Sequence, residues 1–121
     1  MIRKFSLVAA AVALAAVFAY AQEESKAVKV TGYVIDNACA GAHAAEDEAK
    51  EHSTSCALMP NCEKSGYAVV AGDKSYKLDA QGNKLAADVL RHTHTRRGVK
   101  VEVEGTLEGD TLHAAKLAEV K

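Results

Sequence analysis

Apolar residues fall first into one solid block and then into short alternating runs. The block covers residues 7–18, an uninterrupted Ala/Val/Leu/Phe stretch. Further on, Val28, Val30, Gly32 and Val34 alternate with Lys29, Thr31, Tyr33 and Ile35. Period-two spacing rich in β-branched residues predicts a strand of about nine residues, and Gly32 in its middle predicts a bulge or sharp bend. Residues 67–71 and 75–78 are two more short strands, with Gly72-Asp73 between them as a hairpin signal.

Residues 79–83 (Asp-Ala-Gln-Gly-Asn) are expected to form a turn in which Asn83 caps the next element. Leu85, Ala86, Val89 and Leu90 then recur at helical spacing. Arg91, Arg96 and Arg97 gather where cations suit a helix C-terminus, and Gly98 is the expected stop. Val99, Val101 and Val103 alternate with Lys100, Glu102 and Glu104 in the cleanest strand pattern of the chain. Gly109-Asp110 turns it into a last strand at 111–120, whose apolar phase slips at Ala114-Ala115 as at a bulge.

The expected class is mainly β with one or two short helices. Five strands, a long bent first strand and a helix between the third and fourth match a small five-stranded OB-like barrel. A generic α+β roll with the same elements and different strand pairing is the competing architecture.

The opening block fixes how the rest is read. Arg3 and Lys4 precede it, and Ala19-Tyr20-Ala21 follows it with small residues at the two positions that a signal peptidase reads. About 12 apolar residues fall short of the ~20 that span a bilayer. Residues 1–21 are therefore expected to be a signal peptide cut before Gln22, residues 22–27 a flexible leader, and residues 28–121 a single OB-like domain. The expected product is periplasmic or secreted, with no stable membrane anchor after cleavage, in a compartment that permits disulfides.

Composition then narrows the partners. The chain has 121 residues, 15 Lys+Arg and 16 Asp+Glu. Without residues 1–21 the balance is 13 against 16, and Tyr33, Tyr67 and Tyr76 are the remaining aromatics. A mildly acidic, aromatic-poor domain lacks the basic stripe and stacking platform of nucleic-acid binders, so no nucleic acid is expected.

Residues 36–66 interrupt the β pattern. This insert between the first two strands holds all three cysteines, His43, His52 and the single Pro. Asp36 or Asn37 would cap a short helix over residues 38–51, on which Cys39 and His43, four apart, share a face. His52 and Cys56 repeat that spacing, and Pro60 stiffens the loop that returns Cys62. Thiolate and imidazole together suit Zn(II) or copper better than Mg or Ca. The expected metal ligands are Cys39, His43, Cys56 and Cys62, with His52 as the alternate. The spacings C-x3-H, H-x3-C and C-x5-C are not the C-x2-C knuckles of common zinc sites. The plainer reading is a disulfide with one odd cysteine: a Cys39–Cys62 bridge would close about 24 residues and contribute about 3 kcal/mol. A reactive or partner-linked thiol is a third.

Elsewhere the bland readings prevail. His92, His94 and His113 read as dipole partners or surface residues, and Glu46-Asp47-Glu48 as a solvated helix face. There is no Gly-rich phosphate loop, no Gly-x-Ser-x-Gly elbow, no Cys-x-x-Cys pair and no haem attachment motif. A Cys–His nucleophile is conceivable, but Cys39 and His43 have no orienting acid beyond Asp36. No catalytic activity is expected.

Gly32-Tyr33-Val34-Ile35-Asp36-x-x-Cys39, a following His, then Cys56-Ala57-Leu58-Met59-Pro60-x-Cys62 and Ser65-Gly66-Tyr67 resemble a family of small secreted bacterial proteins. So do Val99-x-Val101-x-Val103-x-Gly105 and Gly109-Asp110-Thr111-Leu112. The likeness spans residues 28–120, and Cys-Ala-Leu-Met-Pro-x-Cys is its most distinctive part. It implies a coherent domain with a purposeful Cys/His insert and no particular activity. The expected function is therefore non-catalytic binding of a transition metal, Zn or Cu, through the insert. The alternative is a disulfide-stapled module that binds a protein or saccharide partner.

Overall fold

A computed structural model describes residues 26–40 and 46–121. The expected signal peptide, residues 22–25 of the expected leader and His43 lie outside the described residues, while Lys26 and Ala27, assigned to the leader, already belong to the first strand, paired with Leu107 and Thr106. Five strands, β1 (Lys26–Asp36), β2 (Tyr67–Ala71), β3 (Lys74–Leu78), β4 (Lys100–Glu108) and β5 (Thr111–Glu119), close a barrel in the order β1-β2-β3-β5-β4. The architecture is the small OB-like barrel that the pattern predicts. The generic roll fails on strand pairing: β3 lies parallel to β5 through Lys77–Thr111 and Leu78–Leu112, and β1 joins both β2 and β4.

A strand can serve two partners only if it bends. β1 pairs with β4 from Lys26 to Tyr33 and with β2 from Tyr33 to Asp36. The handover falls at Gly32, where a Cβ would stand 2.4 Å from the Val70 carbonyl oxygen. The absent side chain lets β2 approach, which is the bend the glycine predicted. The predicted slip in the last strand is also present. Glu104 faces Lys116 and Gly105 faces Ala114, leaving Ala115 as the extra residue of a bulge.

Helix α5 (Ala80–His92) plugs the barrel with Ala86, Ala87 and Leu90. Its start corrects the expected turn at 79–83. Asp79, not Asn83, is the cap: its carboxylate accepts from the Gly82 amide at 2.8 Å, and residues 80–83 are already helical. Asn83 instead turns its side-chain oxygen to the Tyr67 amide at 2.9 Å, tying the helix to β2. The helix also ends at His92 with Thr93 as its cap, short of Gly98. Gly98 has another task. It has φ +65°, and a Cβ there would stand 2.4 Å from the Lys50 carbonyl oxygen, so it lets the chain pass the insert.

The helix expected over 38–51 runs through residues 41–45, which lie outside the described residues; to either side the insert contains α1 (Asn37–Ala40) and α2 (Glu46–Glu51), followed by α3 (Thr54–Ala57) and α4 (Pro60–Ser65). Ala40 and Ala49 from the first two pack on Ile35, Ala68 and Val70 at the outer face of β1 and β2. The inner faces of the barrel bury Val34, Tyr67, Val69, Leu78, Val99, Val101, Val103 and Leu112. With both faces covered, Tyr67-Ala68-Val69-Val70 is buried throughout. This is why β2 reads as a continuous apolar run rather than an alternation.

In β4 the alternation holds. Val101 and Val103 are fully buried, while Lys29 spans the half-exposed Glu102 and Glu104 carboxylates at 3.4 Å each. Val101→Ala should cost about 1–3 kcal/mol through lost burial and a cavity, and Glu102→Ala less than about 0.5 kcal/mol, measured by urea denaturation. Equal effects would mean that the two side chains do not face opposite ways.

Candidate metal centre

The first strand ends in the only fully buried carboxylate of the described residues, Asp36. A buried carboxylate requires hydrogen-bond partners, and Asp36 has two. Oδ2 accepts from the Cys39 amide at 2.9 Å, the capping bond anticipated for Asp36 at the start of this helix. Oδ1 accepts from His52 Nε2 at 2.6 Å, and that imidazole is itself mostly shielded from solvent. A carboxylate has about four lone-pair positions, so two remain after these bonds.

Two thiols converge on the same carboxylate. Cys39 is the third residue of α1, and Cys62 is carried back by α4, whose first residue is Pro60. Ser65 locks the two helices together by accepting from the Ala38 amide at 3.1 Å and donating to the Cys62 carbonyl at 2.6 Å. Asn37 adds a bond to the Ser65 carbonyl at 2.9 Å. The result is that one carboxylate oxygen of Asp36 and the sulfurs of Cys39 and Cys62 all lie within 4.8 Å of one another.

The site's electrostatics follow from that crowding. The Cys39 thiol is pushed up to about 11, first by desolvation of its sulfur against the fold and then by hydrogen bonding to and repulsion from Asp36. The residue as a whole remains exposed. Desolvation and the same carboxylate also raise Cys62. Tyr67 is pushed up to about 12, by burial first and Asp36 second, and its neutral hydroxyl donates to the Ala57 carbonyl at 2.8 Å. A cation at the centre would reverse the effect on both thiols, because it stabilises the thiolates that Asp36 opposes.

The expected ligands therefore separate. Cys39 and Cys62 come together. Cys56, in α3, is exposed and outside this group, its amide capped by Ser53 at 3.0 Å. His52 precedes α3 rather than sharing a helix face with Cys56, and it holds Asp36 from behind. His43 lies outside the described residues. The Cys39–Cys62 staple is not formed, and all three cysteines are free. Asp36 is the member that the ligand reasoning passed over. Its signal was its place at a strand's end, three residues before a cysteine, where it was read only as a cap or an orienting acid.

Two sulfurs on one tetrahedral zinc at about 2.3 Å stand about 3.8 Å apart. Ligating carboxylates are themselves usually hydrogen-bonded, as Asp36 is by His52. In comparisons with known proteins, no family model, no curated protein and no solved structure matches this chain.

Proposed function

We propose that this chain is an exported, non-catalytic protein that binds one transition-metal ion, zinc before copper, through Asp36, Cys39 and Cys62. The observation that carries the reading is the convergence of two thiols on a fully buried carboxylate. Mixed sulfur and oxygen donors suit Zn(II), whereas Cu(I) prefers an all-sulfur set. Three protein ligands leave a fourth position for water, for His43 or for a ligand from a partner. His52 serves as the orienting group of Asp36. The charged start, short apolar block and Ala19-Tyr20-Ala21 support export with a mature N-terminus at Gln22, which N-terminal sequencing of the exported protein checks.

Titration of the reduced protein with Zn(II) should give one equivalent bound. Cys39→Ser and Cys62→Ser should each weaken binding by 100-fold or more, while Cys56→Ser should change it by less than threefold. A reduced sample that takes up neither zinc nor copper at micromolar concentration would overturn the proposal in favour of the protein- or saccharide-binding module.

Affinity should also rise with pH. Both thiols are raised above their ordinary value, so each proton must leave before a thiolate–metal bond forms. If both leave, the apparent association constant should climb by up to about a hundredfold per pH unit and level off only near the Cys39 value of about 11. Competition against a chelator across pH 6–9 measures the slope. A flat profile would exclude the two thiols as ligands.

A further inference from the structure

Away from the metal centre, the insert and the segment after α5 enclose a cleft of about 620 Å³. Ser53, Ser55 and Leu58 form one wall, and His94, Arg96 and Arg97 the other. Its charge is out of keeping with the molecule. The chain as a whole is at −1, yet residues 91–100 contain Arg91, Arg96, Arg97 and Lys100 and no acid. Arg91 is engaged with Glu63. Among the described residues, neither Arg96 nor Arg97 has a carboxylate within 4.0 Å. The nearby Glu119 does not line the cleft and is taken up by the Thr93 and Thr95 hydroxyls at 2.8 and 2.9 Å.

The two walls are held by backbone rather than by their charged ends. The Thr54 amide donates to the Arg96 carbonyl at 2.9 Å, and the Gly98 amide to the His52 carbonyl at 3.1 Å. Ser53 and Arg97 form an isolated antiparallel bridge, and Thr54 Oγ1 donates to the Thr95 carbonyl at 2.7 Å. A cleft fixed in this way does not have to be ordered by its ligand, which lowers the cost of binding.

We infer that this cleft binds a small anion bearing a phosphate or sulfate group, free or as the monoester of a small molecule. Arg96 and Arg97 both line the cleft and have no carboxylate partner among the described residues, so an oxyanion with charge near −2 finds there more cationic donors than one carboxylate would use. Ser55 adds a hydroxyl, and Leu58 an apolar surface for an ester's organic part. The volume falls within the range of small-ligand pockets. The inference does not rest on the metal reading, since none of the metal ligands lines the cleft.

The test is NMR titration of the full mature chain with sodium phosphate, sodium sulfate, glycerol 3-phosphate and sodium acetate, each against sodium chloride at equal ionic strength. Saturable shifts at residues 53–58 and 93–97 are expected with the first three. Glycerol 3-phosphate binding at least threefold tighter than phosphate would identify an ester as the fitting ligand, and equal binding a free oxyanion. Arg96→Gln and Arg97→Gln should each weaken binding about tenfold or more, with Lys84→Gln, on the exposed face of α5, as the unchanged control. If either glutamine variant fails to fold, the corresponding lysine variant keeps the charge but loses the fork, and should still bind at least threefold more weakly. Shifts that chloride reproduces, acetate binding as tight as phosphate, or folded arginine variants that bind as the wild type does would each overturn the inference.

Discussion

Asp36→Ala is expected to abolish zinc uptake and to lower stability by about 2–4 kcal/mol. The carboxylate is fully buried and makes two charge-assisted bonds, one to the Cys39 amide and one to His52 Nε2. Removing it leaves the cap of α1 unfilled and a mostly shielded imidazole without its partner. A buried donor left unsatisfied costs ~1–3 kcal/mol, and the substitution leaves two, the Cys39 amide and His52 Nε2. Urea denaturation measures the stability, and Zn(II) titration the uptake. A fully stable Asp36→Ala protein that still binds zinc would show that the carboxylate neither supports the insert nor ligates.

Asp36→Asn separates the two roles. It preserves the shape but removes the negative charge, so repulsion of the thiols disappears while their desolvation stays. The Cys39 thiol should therefore titrate below about 11 while staying above its ordinary value, read by thiolate absorbance. A linked effect on stability has a definite sign. The native thiol holds its proton to higher pH than the unfolded one, whose ordinary value is 9.0. The contribution is thus complete below pH 9 and is lost as pH rises towards about 11. Asp36→Asn should lose less stability across that window than the wild type does.

Leu112→Ala is expected to cost about 3 kcal/mol, with ~2–5 kcal/mol as the range for such truncations in a packed core. Leu112 is completely buried where the barrel closes, beside Leu78 of β3 in the parallel pair and Leu107 of β4 in the antiparallel one. Its carbonyl accepts from the Asp79 amide at 3.0 Å, a backbone bond that truncation spares. The cost should therefore come from the cavity and lost burial alone, and denaturant midpoints should shift with little change in slope. Zinc stoichiometry should be unchanged while the protein remains folded, because the closure lies on the far side of the sheet order from the insert. A cost below about 1 kcal/mol would show that the seam does not depend on this side chain.

The amino-acid sequence determined what depends on near neighbours. Alternation at Val99–Glu104 sets which side chains enter the barrel, because consecutive strand residues point to opposite faces. Gly32 and Ala114-Ala115 marked the bend and the bulge, because each interrupts that alternation locally. The order of five strands around one helix was enough to suggest the barrel. Local chemistry became ambiguous where two residues of one type compete: Asp79 and Asn83 can each cap a helix, and only the Tyr67 amide, 16 residues away from Asn83, assigns Asn83 elsewhere. The same limit applies to the insert. Spacing of four suggested that His52 and Cys56 share a helix face, but His52 stands ahead of α3, whose cap is Ser53, and its ring is held by Asp36. Tertiary structure alone brought Cys62 back to Cys39 and Asp36 and placed His52 behind that carboxylate, across separations of 16 to 26 residues. It also set Ser53 and Ser55 opposite Arg96 and Arg97, some forty residues on. Side-chain periodicity encodes the face a residue presents, whereas contacts between distant segments are decided by which packing buries the most apolar surface while leaving no buried polar group unpaired.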